Sequence, residues 1–454
     1  MKMRQTLRAL IETLGLALAF AAAAPAQTPP TSTGADGAYN ATVSGLFDPN
    51  NLSATCPTCT ANNVVNASGD NVFNFTTITI ASGVTVRLEA SKVRNMPVIW
   101  LATGAVNIVG TLDLTGDGGY GLNATNPSQI IVNRSPAQPG AGGYYGGLGA
   151  RSGIGPEPGS GPGGGSAGTN SSSNSTCQGG SGASFSAANP PGAGNTTGLG
   201  TAYGNFYLVP LYGGSGGGGG WGSNVNDLGG GGGAGGGAIR IYSPLSISLT
   251  GSINVSGGSA GTIQNDSTAC VGGAGAAGVI HLIAPTISGS GSLSIYAGQW
   301  PGTGNLAIDG YVRFNVTTFS FTGVVSNVCS GQSCTADTYG NAFVGPFTNV
   351  PANNSLAQPT LSITSVNGVT VPNPPSGQYL TPDVQISANT PVSVAIAGSN
   401  IPVGTVVTLR VTSESGGDAL ISCPGLAGTL ASSTATCTAT FPYSVSLATL
   451  RATW

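Results

Sequence analysis

Two stretches decide how this chain is read: GAIRIYSPLSISLTGSINVSGG at 237–258 and GVIHLIAPTISGSGSLSIYAG at 278–298. At an offset of about 40 residues, Pro244 falls on Pro285 and Gly251-Ser-Ile-Asn-Val255 on Gly291-Ser-Leu-Ser-Ile295. An earlier relative, Gly110-Thr-Leu-Asp-Leu114, follows the apolar run Val98-Ile-Trp-Leu101. Each unit holds two or three short alternating runs cornered by Gly and Ser, which is strand periodicity and not helical periodicity. One unit cannot bury its apolar face alone, so successive copies are expected to stack. The expectation is an all-β chain whose main body is a parallel β-helix or related β-solenoid. Ile239, Ile241, Ile253, Val255, Ile280, Leu282, Leu293 and Ile295 would face inward. Arg240 and His281 would take equivalent outward, exposed positions. An antiparallel sandwich is the alternative.

Upstream, FNFTTITIASGVTVRLEAS from Phe73 continues the alternation, broken only at Ser82-Gly83. Between residues 140 and 237 lies a glycine-dense insertion with runs at Gly216 to Gly220 and Gly229 to Gly233, interleaved with Tyr144, Tyr145, Tyr207, Tyr212 and Trp221. Glycine loses the most backbone entropy on ordering, so the first reading is a flexible surface loop. Packed polyproline-II strands, in which glycine lets backbones approach closely, are the second reading. A phosphate-cradling loop is the third, but no glycine run here ends in GK[ST]. From Leu361 onward short strands recur at regular spacing between Gly, Pro and Asn turns, which suits an immunoglobulin-like β-sandwich. The expected organisation is a signal peptide at 1–26, a loose entry segment at 27–52, the solenoid at 53–350, a linker at 351–360 and the sandwich at 361–454.

The N-terminus carries Lys2, Arg4 and Arg8, an apolar run from Leu14 to Ala24, and the small-x-small triplet Ala24-Pro25-Ala26. That is the pattern of an export signal, with a mature start expected at Gln27. No later run is long and apolar enough to span a bilayer, so the mature chain is expected not to cross a membrane. Removing the signal leaves 9 basic against 14 acidic residues, a charge of about −5, which argues against nucleic acid as partner. Only 6% of the chain is charged, against roughly 25% in ordinary globular domains.

Eight cysteines in an exported chain read first as disulfides. Sequence order pairs Cys56 with Cys59, Cys177 with Cys270, Cys329 with Cys334 and Cys423 with Cys437. The last pair would close a hairpin-like loop within the C-terminal unit. His281 is the only histidine, so zinc is not expected, and no other metal or cofactor is. Gly118-Gly-Tyr-Gly-Leu-Asn123 approaches a calcium-binding β-roll repeat, but it has Asn in place of the ligand Asp and no tandem copy.

PVIWLATGAVNIVGTLDLTGDGG, with the two opening stretches, resembles glycine-rich exported bacterial β-solenoid proteins of unknown function. IPVGTVVTLRVTSESGG, LAGTLASSTATCTATF and the terminal LRATW resemble a small C-terminal β-domain of similar secreted proteins. The resemblance implies a complete C-terminus at Trp454 and a surface or extracellular setting. It carries over no catalytic residues.

Asp113 and Asp117 are the best local carboxylate pair for glycoside hydrolysis, which needs two carboxyl groups roughly 5 to 9.5 Å apart. A solvated strand residue followed by a turn-forming Asp explains them better, so no catalytic residue is expected. Trp221, Trp300, Tyr144 and Tyr145 in glycine-rich corners are the candidates for stacking on sugar rings. The leading expectation is a non-enzymatic structural or adhesive protein, secreted or at the cell surface, with the periplasm as a further location. Its partners would be surface polysaccharide or other envelope proteins. A polysaccharide lyase or glycoside hydrolase and a carbohydrate-binding module are the alternatives.

Overall fold

The computed structural model describes residues 31–59, 71–93, 96–120, 122–123, 136–150, 155–169, 179–186, 202–221, 229–264, 271–299, 307–330, 333–336, 341–347, 360–372, 382–387, 391–413, 419–441 and 448–454. Within them the regular structure is almost wholly strand. The main sheet contains β1 (Gly37–Ala41), β3 (Val72–Ile80), β5 (Val98–Ala102), β6 (Val106–Ile108), β9 (Ala238–Tyr242), β10 (Ser246–Leu249), β13 (Val279–Gly289), β15 (Tyr311–Phe321) and β18 (Ala342–Pro346). The two opening stretches are parallel neighbours in their sequence alignment, with Ile280 beside Ile239 and His281 beside Arg240.

The hydrogen-bonded path through this sheet returns on itself. The first half of β3 pairs with β5 and its second half with β6. In the same way β13 pairs first with β9 and then with β10. Because β5 pairs with β9 and β6 with β10, β3–β5–β9–β13–β10–β6 is a closed barrel of six parallel strands. This corrects the expected parallel β-helix. Pairing breaks at 103–105 and at 243–245, while β3 and β13 run through and join both ladders.

A second sheet contains β2 (Gly45–Leu46), β4 (Thr85–Arg87), β7 (Thr111–Asp113), β11 (Ser252–Asn254), β14 (Ser292–Ser294), β16 (Val324–Ser330) and β17 (Ser333–Ala336). Here Ile253 sits between Leu112 and Leu293. A two-stranded pair joins β8 (Leu122–Asn123) to β12 (Ile263–Gln264). All eight residues expected to face inward are fully buried in one core with Phe314 and Val325. At one end of that core Tyr39, Phe47, Phe73, Phe75 and Trp100 pack ring on ring, with centroids 5.1 to 6.2 Å apart. The strands β5 and β9 are buried at every residue because glycine-rich segments cover their outer face, which is why β5 reads as an unbroken apolar run.

Those covering segments form a slab, and their hydrogen bonds repeat every three residues. Gly214, Gly217 and Gly220 donate to the carbonyls of Gly236, Gly233 and Gly230. Gly213, Gly216 and Gly219 donate to a second side, at Gly142, Ser160 and Glu157. Tyr144, Gly147 and Ala150 donate to the carbonyls of Gly214, Gly217 and Gly220. One bond per neighbour every third residue is the symmetry of a polyproline-II strand, which makes three residues per turn and no internal hydrogen bonds. The strands touch backbone to backbone, since a Cβ added at Gly214 would lie 2.0 Å from the Ala276 carbonyl oxygen. For the described residues the flexible-loop reading is overturned. These N–H groups already serve carbonyls, which removes them from the phosphate-cradling reading as well.

The C-terminal unit pairs a sheet of β19 (Thr360–Val366), β20 (Val369–Thr370), β21 (Val392–Ser399), β24 (Ala427–Gly428) and β25 (Ser433–Ala439) with one of β22 (Val406–Ser413), β23 (Ala419–Gly425) and β26 (Ala448–Thr453). Both are antiparallel and share a core that includes Val394, Ile396, Leu409 and Val411. The Cys423–Cys437 disulfide runs from β23 to β25. It therefore bridges the two sheets, correcting the hairpin-like closure expected from its short spacing.

Candidate functional site

One row of side chains crosses the outer face of the main sheet, from the barrel strands β9 and β13 onto β15 and β18. Arg240 on β9, His281 on β13 and Arg313 on β15 are register neighbours, and Phe343 on β18 continues the row. Their sequence neighbours Ile239, Ile280, Val312 and Phe314 fill the core, so strand alternation turns this row outward. The row is nevertheless not exposed: Arg240 is 1%, His281 0% and Arg313 8% accessible. This corrects the reading of Arg240 and His281 as exposed positions. Segment 203–212 of the insertion lies across them, and its carbonyls at Leu208 and Phe206 accept from Arg240 Nη2 at 3.5 Å and Arg313 Nη1 at 3.1 Å.

The hydrogen bonds under that segment fix the state of the histidine. Arg240 Nε donates to His281 Nδ1 at 3.0 Å, and a guanidinium can only donate. Nδ1 is therefore the acceptor, and Nε2 carries the proton toward Asn315 Oδ1 at 2.9 Å. Arg313 Nε donates to the same Oδ1 at 3.0 Å, and Asn315 Nδ2 passes on to the Pro346 carbonyl at 2.9 Å. Burial first, and then the Arg240 charge, hold His281 well below its ordinary pKa. Burial and the Arg313 charge push Arg240 down to about 10. Both histidine nitrogens are committed to the ladder, which leaves His281 a positioning role and not that of a general base.

Segment 203–212 folds back on this base. Asn205 holds the turn, donating from Nδ2 to the Val209 carbonyl at 3.0 Å and accepting from the Tyr207 N–H at 3.0 Å. Leu208 and Leu211 turn inward onto Ile99, Leu101 and Tyr242. Phe206 and Tyr207 are left 40% and 53% accessible. Their rings lie 4.0 Å apart, Phe343 lies 5.1 Å from Phe206, and Tyr311 lies 5.6 Å from Phe343. The Arg313 guanidinium stands 5.7 Å from the Tyr207 centroid, within cation–π range. The result is a shallow aromatic surface on a buried polar base.

The carboxylates singled out in the sequence do come together, around Arg87. Its Nη1 reaches Asp113 at 3.2 Å, its Nη2 reaches Asp117 at 2.5 Å and its Nε reaches Glu89 at 2.9 Å. Asp113 Oδ1 also accepts from the Thr115 hydroxyl at 2.7 Å and the Thr115 N–H at 3.0 Å, the geometry of a turn-forming aspartate. Arg87 thus stands between the two groups a hydrolase would use. Among the described residues no group of three or more His, Cys, Asp or Glu is placed to hold a metal ion.

The aromatic residues expected to stack on sugars are differently placed. Tyr144 is buried against Trp454, and Tyr145 lies beneath the Arg451 guanidinium, 5.5 Å from its centroid. Both are covered by the C-terminal unit, which corrects their reading as exposed platforms. Trp221 lays its ring on Gly155, and Trp300 lies outside the described residues. Beside Tyr145, Glu157 of the slab is a buried carboxylate paired with Arg410 and with Arg451, the latter at 3.0 Å. The disulfides Cys56–Cys59 and Cys423–Cys437 are formed. Cys329 and Cys334 are cross-strand partners on β16 and β17, and Cys177 and Cys270 lie outside the described residues.

Phe206, Phe343, Arg313 and Asn315 were not singled out in the sequence. The usable signal was Asn205-Phe-Tyr-Leu-Val-Pro210, an apolar aromatic run between a turn-former and a proline inside a glycine-rich insertion. A scan against family models finds no match for the chain, and comparisons with curated proteins and with solved structures return none.

Proposed function

We propose that the chain is an exported, non-enzymatic structural or adhesive protein acting outside the cytoplasm, as a rigid body that presents a binding surface. The observation that carries this reading is the slab. Ordering glycine costs more backbone entropy than ordering any other residue, and here that cost is offset by interstrand hydrogen bonds on several sides of each strand. What such packing yields is stiffness, because glycine strands bring no reactive side chains. Two disulfides, one tying the sheets of the C-terminal unit together, fit an oxidising compartment. Within the described residues no helix is long and apolar enough to cross a membrane.

The test is incubation of the purified protein, disulfides intact, with acidic and neutral polysaccharides, followed by reducing-end and unsaturated-product assays. No turnover is expected. Cleavage that disappears in Asp113→Ala would replace the structural reading with a hydrolytic one.

A further inference from the structure

We infer that Phe206, Tyr207 and Phe343, with the Arg313 guanidinium beside them, form a binding site for an acidic polysaccharide, one whose sugar rings carry carboxylate or sulfate groups. This deepens the adhesive part of the reading above and rests on it. The aromatic surface is exposed, yet it is fixed from below. Phe206 and Tyr207 directly precede an inward-turned Leu208, and the Phe206 carbonyl is held by Arg313 Nη1. Little rotamer freedom is therefore left to lose on binding, which favours affinity on a shallow surface. Flat aromatic rings accept the C–H face of a pyranose, and a platform without deep walls suits a polymer that runs across it.

The charge comes from Arg313. Its hydrogen bonds go to neutral acceptors, the Phe206 carbonyl and Asn315 Oδ1, and among the described residues it makes no ion pair. Its Nη2 faces Gly345 on the outer strand β18, where an added Cβ would lie 3.1 Å from that nitrogen. Glycine at 345 thus adds no side chain over this edge of a guanidinium that is 8% accessible, next to Phe343 two residues earlier on the same face of β18. A guanidinium edge presents paired donors that match a carboxylate or sulfate. Arg240, two strands further in, adds a second positive charge under the platform. Stacking from the rings and an anion contact from Nη2 would together select an acidic sugar over a neutral one.

The experiment is affinity electrophoresis and titration calorimetry of the oxidised protein with polygalacturonate, chondroitin sulfate and neutral dextran. Variants are Tyr207→Ala, Gly345→Leu to cover Nη2, and Tyr120→Ala as an exposed aromatic elsewhere. Melting curves check that each variant folds. At least one acidic polymer should bind, more weakly as salt rises, with dextran inert. Tyr207→Ala and Gly345→Leu should each weaken binding by about tenfold, the scale of one lost stacking or charge contact, and Tyr120→Ala should not. Binding to neither acidic polymer, equal binding to dextran, or binding unmoved by both site variants would overturn the proposal. Each of those outcomes leaves the non-enzymatic reading standing, whereas cleavage of a bound polymer would sink that reading and leave the site intact.

Discussion

Replacing Gly217 by alanine tests the slab at its centre. Gly217 donates to the Gly233 carbonyl at 2.8 Å and accepts from the Gly147 N–H at 2.8 Å. A Cβ at this position would lie 2.2 Å from the Gly273 carbonyl oxygen and 2.4 Å from its carbon. Relief needs about 1 Å of separation between two strands, a large displacement for a close-packed interior. The neighbour is itself tied, because Gly273 N–H donates to the Gly218 carbonyl at 2.7 Å. Overpacking of this kind costs roughly 1–3 kcal/mol, and occasionally more. Two stretched backbone hydrogen bonds add about 1 kcal/mol each. Stiffening of the unfolded chain by alanine returns about 0.4–1 kcal/mol, so the net loss should be about 3 kcal/mol. Gly118→Ala is the matched control in the same slab. Its Cβ meets nothing closer than Ser259 O at 3.5 Å, an ordinary contact, so no loss is expected there. Pulse proteolysis in urea reads both variants without requiring one global transition. A Gly217→Ala stability within about 0.5 kcal/mol of Gly118→Ala, the scatter of neutral surface substitutions, would refute the close-packed slab.

Three further outcomes follow from the same geometry. Reduction, or Cys423→Ser, should destabilise the C-terminal unit by about 3 kcal/mol, the loop-closure value for its 14-residue separation, and an unmoved urea midpoint would contradict the inter-sheet bridge. Glu157→Ala leaves Arg410 and Arg451 buried without their carboxylate, at a cost of about 3–5 kcal/mol, so small-angle scattering should show the C-terminal unit parting from the slab; an unchanged radius of gyration would contradict the clamp. Burial pushes Asp309 up to about 6 despite its bond from the Ala297 N–H. The folded chain then holds this proton more tightly than the unfolded chain, so stability should fall as pH rises from about 4 to 6. In Asp309→Asn that slope should flatten, and identical pH profiles would refute the assignment.

The strand content and its register were legible because alternation and an in-line alignment are local signals. Ile239 and Ile280, or Ile253 and Leu293, pair as the sequence placed them. Barrel closure was not legible, since it depends on β3 and β13 running through positions where their neighbours break, and alternation looks the same either way. The burial of Arg240 and His281 was hidden for a different reason. Strand periodicity reports which face a residue takes, but not that segment 203–212, some 30 residues upstream of Arg240, covers that face. Cys423 and Cys437 misled by proximity, because a short spacing suits a hairpin as well as two strands of facing sheets. In the insertion the glycine runs alone fit both a loose loop and a packed slab. Only the three-residue rhythm of hydrogen bonds separates the two, and it is a property of neighbouring strands and not of any one of them.

The central claim is that the glycine-rich segments are a bonded, rigid slab. Residue-resolved amide hydrogen exchange across 213–220 and 229–237, in the oxidised protein, tests it most directly. Protection comparable to β9 and β13 is expected at Gly214, Gly217, Gly220, Gly232 and Gly235, whose N–H groups all donate to neighbouring strands. Exchange at the rate of an unstructured glycine peptide at these positions would contradict the account.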